Sequence, residues 1–306
     1  MSVASEHLVI RQECRSIRGF LRRFEHFGAR GAVRLKAACA NLGAELLGRM
    51  PFTYFAHQLF VLPFKQAKPR WFDGTALCIG SMAPDFAYAL ERSPWPVSTH
   101  NLPAQLYWTL PVTCALTWLI RNHLAVPLGA QLVSPLAEEV QALSRSRHAL
   151  GVTALSAVLG GLTHIFVDAF THPHGWAFER FSFLRVQLFD FLTVATTLQY
   201  LGHTLGTALG FIWFSRLVAA RRVSAWNGSG PVPLEADVPR VSWFYPAILQ
   251  GSAACALLGV FLLLRGYVIS IAVMRASALG LLLLTALAVG LRRLSRVRAS
   301  NGWEVE

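Results

Sequence analysis

Five stretches of the chain stay apolar for about the length of a bilayer-spanning helix, roughly 20 residues. They are Leu102–Ile120, Ala149–Asp168, Leu188–Phe214, Trp243–Leu264 and Val268–Leu291. Each predicts a transmembrane helix, and Arg265 with Gly266 marks the turn of a closing hairpin. Two shorter apolar stretches, 52–64 and 75–90, are interrupted by Pro63, Gly80 and Pro84. Both fall below spanning length and predict a broken or re-entrant helical pair. Residues 221–240, RRVSAWNGSGPVPLEADVPR, concentrate Gly, Pro and Ser and predict a loop. The predicted fold class is all-α, a polytopic membrane helical bundle with five transmembrane helices plus the broken N-terminal pair. Its parts are a basic extension (1–49), a membrane-embedded helical core (50–220), a cytoplasmic Gly/Pro-rich loop (221–240), and a transmembrane hairpin with a basic tail (241–306). The extension could form amphipathic helices along a membrane surface or remain without regular order. Met50 opens MPFTYFAH, which would itself make a sensible start.

Composition strengthens the membrane reading. Of 306 residues, 54% are hydrophobic and only 14% charged, against about a quarter charged in soluble domains. The formal net charge of +12 would suit nucleic acid, but the arginines sit in blocks beside apolar runs and no aromatic-interleaved basic face is present. That pattern fits membrane lipids as partners and excludes nucleic acid. Arg121, Arg145 and Arg147 precede the second span; Arg216, Arg221 and Arg222 follow the third; Arg292, Arg293, Arg296 and Arg298 follow the last. Alternating spans put these clusters on one side, which the positive-inside rule makes cytoplasmic, together with both termini. Arg180 and Arg185 run against the rule. The five cysteines are scattered, with no C-x-x-C pair, and give neither a disulfide framework nor a zinc ribbon.

The chemistry concentrates in GLTHIFVDAFTHPHGW, residues 161–176. His164 and Asp168, spaced i and i+4, share a helix face about 5–6 Å apart at Cβ, close enough to reach one ion. His172 and His174 follow at the helix end. Asp85 in GSMAPDFAY and His100 in VSTHNLP fall near the same predicted outer boundary, and His57 sits in TYFAHQLF. Each has a plainer explanation: Asp85 after Pro84 could cap a helix, and a single histidine is more often hydrogen-bonded than metal-bound. Ionisable groups gathered beside spans are nevertheless functional-site candidates. Imidazole with carboxylate suits zinc, manganese or iron.

The segments M-P-F-T-x-x-A-H (50–57), A-L-C-I-G-S-M-A-P-D-F-A-Y (76–88), S-T-H (98–100) and G-G-L-T-H-I-F-V-D-A-F-T-H-P-H-G-W (160–176) resemble the DUF4184 family of bacterial membrane proteins of unassigned function. The order of these residues is also similar to that of membrane-bound metal-dependent hydrolases of the YdjM type and, more distantly, of zinc-dependent phospholipase C. The resemblance implies a protein of the bacterial plasma (inner) membrane. It further implies metal ligands at His57, Asp85, His100, His164 and Asp168, with His172 next, and hydrolysis of a phosphoester or lipid-like substrate. Zinc is the expected ion, and Asp85 the expected base toward water. The alternative is a non-enzymatic transporter or proton relay, with a hydrogen-bonded chain through His164, Asp168, His172 and His203.

Overall fold

The computed structural model of the chain describes residues 54–146, 148–173, 175–189, 192–227 and 238–300. The basic extension and His174 lie outside them.

The structure is mostly helical. The predicted broken pair is a series of short helices: α1 (Gln58–Ala67), α2 (Gly74–Gly80), α3 (Ala83–Phe86) and a 3-10 turn over Ala87–Leu90. Pro63 lies inside α1, and Pro84 opens α3, where its missing N–H costs nothing. Next comes a helical run from Gln105 to Gly129, in which π turns at Gln105–Thr109 and Ile120–Leu124 flank α4 (Leu110–Leu119) and lead into α5 (Ala125–Gly129). The remaining helices are α6 (Leu136–Ala142), α7 (Leu150–Thr171), α8 (Trp176–Arg180), α9 (Val194–Ala219), α10 (Arg222–Asn227), α11 (Phe244–Leu264) and α12 (Ile269–Ser300).

Three of these, α7, α11 and α12, are long and apolar enough to cross a membrane. Most of α11 faces outward, with Leu249, Leu257 and Leu264 more than two-thirds exposed; a face so apolar is at home in lipid rather than water. Two predicted spans differ from expectation. The run from Leu102 is broken into α and π pieces. The run from Leu188 begins as a two-stranded antiparallel hairpin, β1 (Gln187–Phe189) with β2 (Leu192–Thr193). The helix starts only at Val194, where Thr193 and Thr196 form a reciprocal capping box. Polar residues Thr196, Thr197, Gln199 and His203 then dilute the apolar character of α9. The expected loop at 221–240 also begins as a helix, because Glu139 accepts hydrogen bonds from the first backbone N–H groups of α10, at Val223 (2.7 Å) and Ser224. Residues 228–237 lie outside the described residues.

What positions the site is the contact between α2 and α7, which run side by side in the same direction. At one end Asp73, fully buried, caps α2 by accepting from Ala76 N–H (3.2 Å), pairs with Arg121 (2.5 Å) and accepts from the Thr153 hydroxyl (2.7 Å). Its own N–H donates to Ser156 Oγ at 2.9 Å. Further along, the backbones touch. A Cβ on Gly160 would lie 2.6 Å from Leu77 O and 2.7 Å from Ser81 N, and one on Gly80 would lie 2.4 Å from Ala157 O. Only glycine permits this approach, the small-residue packing that membrane helices favour.

Gly160→Ala should therefore destabilise the detergent-solubilised protein by about 1–3 kcal/mol, as for an overpacked contact, and lower its melting temperature accordingly. Gly151→Ala, where a Cβ meets nothing within 4 Å, should be neutral or stabilising because alanine is the better helix former. Equal effects of the two changes would remove the close-packing argument.

Candidate metal centre

Four of the expected residues converge. Asp85 comes from α3, His100 from the connection before the first π turn, and His164 and Asp168 from successive turns of α7. One ligand atom from each lies within 4.8 Å of all the others. His164 Nε2 is 3.0 Å from Asp168 Oδ2 and 3.4 Å from Asp85 Oδ1. His100 Nε2 is 3.4 Å from Asp168 Oδ2 and 3.2 Å from Asp85 Oδ1. The two Nε2 atoms are 3.3 Å apart. Donors at about 2.0–2.1 Å from a tetrahedral ion are separated by about 3.3 Å, so five of the six edges match such a shell.

The outer nitrogens fix which way the lone pairs point. Ser81 O is 2.8 Å from His164 Nδ1, and a carbonyl can only accept, so Nδ1 carries the proton. The single proton of Thr99 Oγ1 goes to Pro84 O (2.7 Å), which makes this hydroxyl the acceptor for His100 Nδ1–H at 3.3 Å. Both Nε2 atoms then present lone pairs to each other and to two carboxylates. Acceptors facing acceptors require a cation between them or protons on the rings. Second-shell partners of this kind are what orient metal-binding histidines.

The charges point the same way. Two carboxylates within 4.8 Å repel by at least about 3 kcal/mol at an effective dielectric of about 20. Burial works against charge on His100, yet Asp168 and Asp85 outweigh it and push its pKa up to about 9. The pocket favours added positive charge. The group thus has the donors, spacing and potential to hold a metal ion.

His57 and His172 lie against the same cluster rather than within the four. The His57 ring stacks on His164, with centroids 4.1 Å apart. His172 ends α7 and approaches Asp168 through Nδ1 at 3.7 Å. His203, on α9, sits beside both, its ring centre 6.3 Å from that of His57 and 6.4 Å from that of His172. The supporting groups Ser81, Thr99 and Gln199 are not marked as such by the sequence. Thr99 and Ser81 were within reach as neighbours of His100 and of the Pro84-Asp85 turn, whereas the pairing of Gln199 with His172 (2.9 Å) joins positions with no sequence relation.

The class of protein is thus a helical protein with three helices, among the described residues, long and apolar enough to cross a membrane, and a largely buried His/Asp group that could hold a cation between short N-terminal helices and one of them. Its sequence matches the family described as a domain of unknown function (DUF4184) over residues 50–295, and the chain belongs to that family. Neither the curated proteins nor the solved structures contain a match.

Zinc should raise the melting temperature of the purified protein, by about 2.7 kcal/mol of added stability at one hundred times its Kd. The increment should vanish in His164→Ala and in Asp85→Asn. An equal increment in wild type and both variants would place the ion elsewhere.

Proposed function

We propose that the protein is a membrane-embedded metal-dependent hydrolase acting on a phosphoester or lipid-like substrate. The observation that carries this reading is the near-tetrahedral set of Asp85, His100, His164 and Asp168, with separations of 3.0–3.4 Å along five edges. Asp85, His100, His164 and Asp168 would hold the ion, with zinc fitting the mixed imidazole–carboxylate donors. When bound, such an ion lowers the pKa of a coordinated water toward neutrality and polarises an ester oxygen.

The chain's own residues then have distinct tasks. Asp85 approaches both imidazoles through Oδ1, and its Oδ2 would take a proton from the attacking water. Attack forms a bond from the water oxygen to the ester phosphorus and breaks the bond to the leaving alcohol oxygen. The proton held by Asp85 is returned to that oxygen. His100, with about a third of its side chain exposed, lies at the rim where substrate reaches the buried carboxylates.

The reading includes the membrane setting. The helical run 105–129 and α9 cross the bilayer beside α7, α11 and α12, giving five spans. The termini face the cytoplasm of a bacterial cell, and the pocket lies near the outer boundary, where membrane lipids supply the substrate laterally.

Zinc-loaded protein in liposomes should release phosphate esters from phospholipid or from a soluble phosphodiester. A chelator should abolish release and zinc restore it. Asp85→Asn, which removes both an ion ligand and the base, should reduce turnover by at least about 10²–10⁴-fold, the usual worth of a general base alone. Stoichiometric zinc with no turnover on phosphomonoesters, phosphodiesters or ester lipids would end the hydrolase reading.

A further inference from the structure

The segment that joins α7 to α9 has two apolar sides. Its inner side is occupied: Ala177 and Leu184 are fully buried, in one cluster with Ala169 near the end of α7 and Ala195 at the start of α9. On its outer side Trp176 and Phe183 are more than half exposed, and Phe181, Val186 and Leu188 are exposed with them. A contiguous apolar patch of this kind marks a surface that something covers.

Continuity with α7 shows what covers it. Leu155 and Phe166 fall within about 20° of each other around that helix, and both are more than half exposed. They mark the outward face of a helix long and apolar enough to cross a membrane. From Phe166 the aromatic contacts run without a gap into the connection. Trp176 lies 6.4 Å from Phe166 and 5.6 Å from Phe170 between ring centroids. Phe181 lies 6.1 Å from Phe170 and 6.0 Å from Phe183. Whatever meets the outward face of α7 therefore meets this row as well.

Charge gives the level. Arg180 and Arg185, the two arginines that run against the positive-inside rule, are exposed on the same segment. The phosphates of a lipid leaflet would hold both, since arginine suits a boundary between apolar chains and charged heads. Tryptophan is enriched at that same level. The row also sets the depth of the pocket: Asp168 lies between Phe166 and Phe170 in α7, about 3 Å along the axis from each.

We infer that residues 166–188 form an interfacial anchor, with the aromatic row at the upper acyl chains of one leaflet and Arg180 and Arg185 on its phosphates. The anchor holds the Asp168 pocket at the depth of lipid headgroups. Resting on the hydrolase reading, this narrows the substrate to the headgroup phosphoester of a phospholipid resident in the membrane.

The test uses full-length protein carrying fluorotryptophan, in nanodiscs of phosphatidylcholine and phosphatidylglycerol. Trp176→Phe serves only to assign the fluorine resonance of Trp176 in wild type, so the measurement does not depend on how a variant folds. Nitroxide lipids labelled near the headgroup should broaden that resonance most. Broadening chiefly by a water-soluble gadolinium chelate puts the row in water, and broadening chiefly by nitroxide at the chain end puts it too deep. Shielding from all three probes means that a second copy covers it. Each of these three results overturns the inference. Phe183→Trp adds a resonance that should behave as Trp176 does. The anchor and the enzyme fail separately, because the depth measurement needs neither ion nor turnover. Headgroup-level broadening without hydrolysis removes only the enzyme, and hydrolysis with Trp176 in water removes only the anchor.

Discussion

Asp85 and Asp168 aim oxygens at the same two imidazoles from inside a pocket that water barely reaches. That arrangement cannot stand without positive charge. In its absence the rings must take up protons, or the carboxylates must be neutralised against their preference. An ion held there would therefore do more than add a reactive group. It would replace several unfavourable contacts at once, so that binding free energy would become folding free energy for the segments that meet there. The segments involved, the α3 turn, the connection at His100 and the end of α7, are also tied by hydrogen bonds from Thr99 to Pro84 O and from His164 to Ser81 O.

The scaffold delivers these groups by anchoring α7 at two points. Thr153 and Ser156 lock its first turns to Asp73, which is held in turn by Arg121. His164 stands about 16 Å further along from Thr153 at about 1.5 Å per residue, and Asp168 one turn beyond it. Between the two points, Gly80, Ala157 and Gly160 bring the backbones of α2 and α7 into contact, which fixes the register of Ser81 against His164. A slip by one residue would turn His164 by about 100° around its helix and take Nδ1 away from the Ser81 carbonyl. The glycines at the contact thus serve the site indirectly: they set where Nε2 points. On the other side, Gly210 of α9 comes so close to Phe55 that a Cβ would lie 2.3 Å from its carbonyl oxygen, and this seats the segment that carries His57.

How much of this could be read from the chain depends on the range of the interaction. The pairing of His164 with Asp168 was legible because helical periodicity alone dictates it. That Asp85 and His100 join them was suggested by predicted topology and by family resemblance, but it is a tertiary fact, made by a turn at Pro84 and an irregular connection that carry no periodic signal. The helical class was legible from long apolar runs, since backbone groups in lipid must pair within their own segment. Span limits were less so. A hydropathy count over Leu188–Phe214 sees enough apolar residues, but not that 187–193 turn back on themselves or that Thr193 restarts the helix by capping it. Likewise, Gly and Pro marked 221–240 as a loop, whereas Glu139, remote in sequence, supplies the acceptors that let 222–227 coil.

The position of Asp168 between buried and part-exposed histidines bears on what separates a structural ion from a reactive one. A four-donor shell buried on every side would merely staple α3 to α7. Here the two least buried histidines, His100 and His172, each about a third exposed, flank Asp168 on the sides of its two oxygens. The fully buried partners, His164 and His57, stack against each other behind them. Rigidity thus sits at the back of the pocket and access at the front, with one carboxylate spanning both. A staple has no use for an exposed rim; a site that must admit and release a substrate does, and that asymmetry favours chemistry over architecture for this pocket.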